Sequence, residues 1–280
     1  MDLNIQEKEL NSLEKLDRSA TERLFNDSFV EAQGLLDLED KNIGLEELKL
    51  LALWESFPRV KKLYLSNNQL GDRETEALQD LKGNLRALYL NHNMLGDEAA
   101  RILANSELVK TLTCLMLEAN NIGPAGARAF AESENFRNLE ELFLDFNPLG
   151  PEGIQLLAES NAFPRLEALH LDSTRCGDAG VEALARSQTL TGIQRLYLCS
   201  NGIGDSGAKA LSISENLKTL RVLSIWRNEI RDAGGEAMAA SETFGNLDRL
   251  YMSLNLIEKP VRKIIRGSDL AKRLTTLVMD

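Results

Sequence analysis

The sequence predicts an α/β solenoid, with a parallel sheet lining a concave face and helices covering the convex face. Three observations predict it. Leucine recurs at Leu36, Leu63, Leu88, Leu115, Leu142, Leu169, Leu196, Leu223, Leu250 and Leu277, in steps of 27 residues apart from one step of 25 between Leu63 and Leu88. Two residues after each leucine stands a second apolar residue, from Leu38 and Leu65 through Leu198 to Ile225, Met252 and Met279. Asparagine then follows at Asn68, Asn93, Asn120, Asn147, Asn201, Asn228 and Asn255, with Lys41 and Thr174 in its place in the first and sixth repeats. A chain of 280 residues exceeds one ordinary globular core, and growth by stacked repeats avoids that limit.

Alternation puts the two apolar columns on one face of a short strand, and equal spacing stacks the strands in parallel. The asparagine marks the point where the chain leaves the strand. Backbone groups lose their sheet partners there, and a primary amide that both donates and accepts replaces them. Stacked copies predict a continuous amide ladder, weakened at Thr174. The second half of each repeat is predicted to be helical. Asp72, Asp97, Asp178, Asp205 and Asp232 share a column with Pro124 and Pro151, and both residue types suit a first helical turn. A small residue follows at Ala99, Gly126, Gly153, Gly180, Gly207 and Gly234, read as allowing the helix to approach the sheet.

Residues 35–280 make about nine full 27-residue repeats and a terminal strand. Residues 1–34 are predicted to form an N-terminal helical cap, with Leu10, Leu13, Leu16, Leu24 and Phe25 at helical spacing and Ser19 and Glu22 as a capping box. The last strand, at Leu277, is expected to leave an open sheet edge, so the chain is read as a monomer or as associating weakly through that edge.

The stretches LTCLMLEANNIGPAGARAFAES from Leu112 and IQRLYLCSNGIGDSGAKALSIS from Ile193 resemble the ribonuclease-inhibitor-like subfamily of leucine-rich repeats, in the form with bacterial-type repeats. The resemblance implies a right-handed horseshoe. It also implies a scaffold for protein–protein interaction; activating proteins of small GTPases share the repeat class, and host-directed bacterial effectors are a further reading.

Composition narrows the function. A net charge of −11 opposes sequence-independent nucleic-acid binding, which needs a cationic footprint. No apolar run approaches membrane-spanning length. Three scattered cysteines, Cys114, Cys176 and Cys199, fit a reducing cytoplasm, with delivery to a host cell as an alternative.

The residue between the two apolar columns points away from the core. That position holds Tyr64, Tyr89, Met116, Phe143, His170, Tyr197 and Tyr251, including every tyrosine of the chain, and Trp226 lies beside it. Contiguous exposed aromatics are the material of interface anchors, although aromatics also stabilise a sheet by stacking. One column further on, Glu118, Asp145 and Asp172 occupy successive strands, beside Glu141, and together they predict a protein partner with a basic patch. Lys62, Arg195, Arg227 and Arg249 are concave bases, so the face is acidic in its middle and basic in its later repeats.

Catalytic readings fail on context. The acidic column matches the roughly 5 Å carboxylate spacing of a retaining glycosidase but offers neither an enclosed pocket nor distinct environments for acid and base. Gly202, Gly204 and Gly207 spell G-x-G-x-x-G, yet two of the three belong to repeat columns. His170, Asp172 and Cys199 lack the orientation of a triad. The expectation is a non-enzymatic binding scaffold with no cofactor and no metal.

Overall fold

The computed structural model describes residues 18–280. Leu10, Leu13 and Leu16 of the predicted cap lie outside the described residues. The described chain opens with α1 (Arg18–Ser28) and β1 (Phe29–Val30), and then alternates strand and helix. The elements are β2 (Leu35–Asp37), α2 (Leu45–Leu53), β3 (Lys62–Tyr64), α3 (Asp72–Leu78), β4 (Ala87–Tyr89), α4 (Asp97–Asn105), β5 (Cys114–Met116) and α5 (Pro124–Glu132). They continue as β6 (Glu141–Phe143), α6 (Gly150–Glu159), β7 (Ala168–His170), α7 (Gly177–Arg186), β8 (Arg195–Tyr197), α8 (Asp205–Ser212), β9 (Val222–Ser224) and α9 (Asp232–Ala239). The last are β10 (Arg249–Tyr251), α10 (Lys259–Gly267), α11 (Asp269–Arg273) and β11 (Thr276–Val278).

The strands form one sheet in chain order. From β2 to β11 each neighbouring pair is parallel, with the predicted leucines in register: Leu36 beside Leu63, Leu142 beside Leu169, Leu250 beside Leu277. β1 runs antiparallel to β2 and covers the first edge. In the cap, Phe25 is fully buried and its ring lies 5.8 Å from that of Trp54. The capping box does not form: Ser19 sits inside α1, and Glu22 is taken by Arg18 at 2.9 Å, an i,i+4 pair.

Both apolar columns are buried between sheet and helices, except for the half-buried Leu277 on the last strand, together with Ile43, Leu70, Leu95, Ile122, Leu149, Cys176, Ile203 and Ile230 at the turn. The amide ladder is present. Asn228 accepts from the backbone N–H of Asn201 and Ile203 at 2.9 and 3.1 Å, and its Nδ2 donates to the carbonyls of Leu198 and Ile225 at 2.9 and 3.0 Å. Each amide thus joins its own turn to the preceding one. Thr174 is fully buried and its hydroxyl lies 2.9 Å from the Leu171 carbonyl and 3.1 Å from Asn201 Oδ1, so it serves its own turn and the next. A hydroxyl is too short to reach back, and Leu149 N–H donates instead to the Asn147 carbonyl at 2.8 Å.

The aspartates at the helix starts cap the following repeat. Asp97 Oδ1 accepts from Gly123 and Gly126 N–H at 2.6 and 2.8 Å, Asp178 from Gly204 and Gly207 at 2.7 and 3.0 Å, and Asp205 from Arg231 and Gly234, both at 2.8 Å. The N-cap of α5 and of α8 is glycine, which has no side chain for the orphan N–H groups, so the neighbouring carboxylate supplies it. This changes the reading of the small column. A Cβ on Gly126 would lie 2.6 Å from Ile122 and 2.8 Å from Asp97, so the space is required by the turn and the preceding aspartate, not by the sheet. Upstream, where no preceding aspartate exists, Gly44 and Gly71 N–H donate to Glu47 and Glu74 of their own helices.

Helices α6 and α7 follow Pro124 and Pro151 and have neither device. Their first residues, Gly150 and Gly177, adopt φ of +64° and +56°, which glycine tolerates best, and donate to the carbonyls of Thr174 and Asn201 in the next repeat.

Candidate functional site

Because strand residues alternate in direction, the column between the buried leucines is forced onto the concave surface. Tyr64, Tyr89, Met116, Phe143, His170, Tyr197 and Tyr251 are all half-buried there. They form two stacks. Tyr64 and Tyr89 lie with ring centroids 4.0 Å apart and planes within 7°. Phe143, His170 and Tyr197 make a second, with centroids 3.8 and 4.1 Å apart. Met116 separates the two stacks, and Ser224, which is buried, separates the second from Tyr251. Trp226 stands at the end of β9 with 39 % of its surface exposed.

Burial holds the His170 imidazole neutral at physiological pH, pushing it down to about 4, and the nearby Arg195 acts in the same direction. The central stack is therefore an uncharged platform. Arg195 reaches over Ala168 to Glu141, two strands away, at 2.5 Å; the small side chain between them leaves the path open. Both partners are partly exposed, so this pair orients side chains more than it stabilises the fold.

The three predicted acids differ from one another. Asp145 is 7 % exposed and accepts from the Asp172 N–H at 2.7 Å, while Asp172 accepts from the Cys199 N–H at 2.6 Å. They extend a second ladder along the strand ends, in which Asn91 accepts from the Glu118 N–H at 2.9 Å. Desolvation pushes the Asp145 carboxyl up to about 7; its backbone hydrogen bond opposes the shift, and the charges of Asp172 and Glu118 add to it. Asp172 is also raised, chiefly by burial. Glu118 and Asp172 keep partly exposed side chains, so both are more accessible than Asp145.

The glycines and cysteines singled out in the sequence have structural surroundings of their own. Gly204 and Gly207, whose N–H groups a pyrophosphate would need, already donate to Asp178. The thiols of Cys114, Cys176 and Cys199 are pushed up by burial to about 12, 12 and 11, and the Cys199 sulfur lies 3.0 Å from the Ser224 hydroxyl. A thiol held so far from its thiolate is a poor nucleophile. Among the described residues no cluster of His, Cys, Asp or Glu is arranged to hold a metal ion, and no helix is long and apolar enough to cross a membrane.

A family model for the leucine-rich repeat matches residues 110–131, 137–158, 190–212 and 216–239. This chain is a leucine-rich repeat protein. The segment skipped between the second and third matches is the sixth repeat, where Thr174 and Cys176 replace the usual asparagine and isoleucine. No curated protein matches the chain. As in other proteins of this repeat class, the inner sheet presents one side chain per repeat at each register position.

Two sets of structural residues were not recognised from sequence. The cross-repeat role of the aspartates needed the helix stacking to be seen. From α5 to α9 a serine just past the helix donates to a carbonyl of the preceding repeat, as Ser160 does to Ala131 at 2.6 Å, Ser187 to Ala158 at 2.5 Å and Ser214 to Ala185 at 2.7 Å. Its signal was the recurrence of serine at the same column.

Proposed function

We propose that this protein is a non-enzymatic scaffold that holds another protein against its concave face. The carrying observation is the Phe143–His170–Tyr197 stack: three rings in van der Waals contact, neutral at physiological pH, half-exposed, and bordered by Glu118, Asp145 and Asp172. Rigid aromatic surface of this kind costs little side-chain entropy to use, which suits an interface anchor. The adjoining acids favour a partner with a basic patch over repeats four to six. A ladder of identical strands gives a broad open surface and no enclosed reaction chamber, which supports binding over catalysis. The finer kinship with the ribonuclease-inhibitor-like subfamily, and a cytoplasmic setting for three reduced cysteines, belong to the same proposal.

Affinity capture followed by mass spectrometry identifies partners, and Phe143→Ala and Tyr197→Ala then test the site. At least tenfold weaker binding with a near-wild-type melting temperature is expected for one or both. Unchanged binding in both variants would move the partner to the helical outer surface, where a groove of about 740 Å³ lies between α7 and α8 beside Arg186 and Ile213.

A further inference from the structure

The concave face changes character along the solenoid. Segments 114–119, 141–146 and 168–173 carry four carboxylates and no lysine or arginine. Segments 195–200, 222–227 and 249–254 carry three arginines and no carboxylate. Arg195 is committed to Glu141. The side chains of Arg227 and Arg249 are exposed and, among the described residues, make neither a hydrogen bond nor an ion pair. The indole N–H of Trp226 and the hydroxyls of Tyr197 and Tyr251 also have no hydrogen-bond partner there. Arg249 opens β10 and Arg227 follows the end of β9, so the two charges stand at opposite ends of neighbouring strands with the rings between them.

A surface whose free polar groups are guanidinium and indole donors with two phenols calls for acceptors, and its rings call for an apolar group. We propose that the concave face of repeats seven to nine receives an acidic segment of a partner protein, with an apolar residue between its carboxylates, seated on Tyr197, Trp226 and Tyr251 and held by Arg227 and Arg249. This rests on the scaffold reading and adds a polarity to it: the bound chain presents bases to repeats four to six and acids to repeats seven to nine, and the reverse orientation is repelled at both ends. A nucleic acid fits poorly. Its uninterrupted negative charge meets the acidic strands a few repeats away and a chain of net charge −11.

The test uses a random tryptophan-free peptide display library panned on the full chain and on the Arg227→Glu/Arg249→Glu double variant. Trp226 is itself a reporter, since the other tryptophan, Trp54, is buried in the cap. Peptides enriched on the wild type should combine Asp or Glu with Leu or Phe and shift Trp226 emission. They should lose at least tenfold in affinity on the double variant while its melting temperature stays put, and be indifferent to Phe143→Ala. Arg227→Gln/Arg249→Gln repeats the measurement if charge reversal unfolds the protein. Acidic peptides that bind both arginine variants as tightly as the wild type overturn the proposal, as does an oligonucleotide of equal charge binding as well as the peptides. Peptides that enrich only as basic sequences and depend on Phe143 overturn it while leaving the scaffold reading intact; no enrichment at all removes both.

Discussion

Repeats three, four and seven to nine start their helices in one way, and repeats five and six in another. In the first group an aspartate from the preceding repeat accepts a backbone N–H at the start of the next helix, as Asp178 does for α8. In the second, Pro124 and Pro151 stand in that column, no carboxylate reaches over, and Gly150 and Gly177 turn left-handed so that their own N–H groups dock onto the following repeat. The amide ladder breaks in the same place, at Thr174. The irregular starts make fewer inter-repeat bonds, since Gly150 and Gly177 each donate one where Asp97, Asp178 and Asp205 each accept two. A solenoid tolerates this because each repeat touches only its neighbours, so a local substitution of one device for another does not propagate. The irregular pair is also the one that carries Phe143, Asp145, His170 and Asp172 on its inner face.

The largest test of this contrast concerns the amide ladder. Asn228→Ala removes two accepted backbone bonds and donation to three carbonyls inside the regular region and should cost about 1 to 3 kcal/mol in urea melts. Asn255→Ala, which loses one accepted and two donated bonds in a partly exposed turn, should cost less. Equal, negligible losses at both sites would remove the ladder as a source of cohesion.

Glycine gives the next effect. Gly126→Ala drives a Cβ into Ile122 and the capping Asp97 and should cost about 1 to 3 kcal/mol, as overpacking does. At Gly150 a Cβ meets nothing within 4 Å, so Gly150→Ala should cost only the backbone strain of a positive φ, about 1 kcal/mol. If the order is reversed, the two kinds of helix start are not built as described.

Asp145→Asn keeps the oxygen that accepts from Asp172 and copies the arrangement of Asn91, while removing a buried charge. Since the folded carboxyl is raised to about 7, the native state binds a proton more readily than the unfolded chain between about pH 4 and 7. Wild-type stability from this group is therefore lost as pH rises through 7. The variant should be more stable above pH 7, by about 1 to 3 kcal/mol, with the gain shrinking towards pH 4. His170, depressed to about 4, gives the opposite slope below about pH 6.5, but it is common to both proteins and cancels in the difference. A gain that does not vary with pH would rule out the buried carboxylate as its origin. Charge reversal at the more accessible Glu118, rather than at Asp145, is the appropriate probe of the acidic surface, and should slow association at low salt.

The smallest folding effect is expected from the stack. Phe143→Ala forfeits one ring contact, about 0.5 to 1.5 kcal/mol, against about 2 to 5 kcal/mol for Leu144→Ala in the core beside it. Comparable losses for the two would make the concave rings part of the fold's foundation.

The sequence by itself determined the repeat, the strand register, the two buried columns, the amide ladder with its fault at Thr174, and the aromatic column on the inner face. These follow from period and alternation, because a stack of equal units places residue i directly beside residue i+27, and strand geometry then decides which side each faces. Only the tertiary structure decided what crosses between helices. That Asp97 serves Gly123 and Gly126, that glycine is demanded there by an aspartate and an isoleucine, and that Asp145 is buried while Glu118 is not all depend on how closely successive turns pack. Ser19 and Glu22 show the same limit at the cap, where an i,i+3 pattern that reads as a helix start lies inside α1. Pattern along a chain reports which face a side chain takes; the acceptor it meets, and the water it loses, are set by distances across the stack that no single repeat encodes.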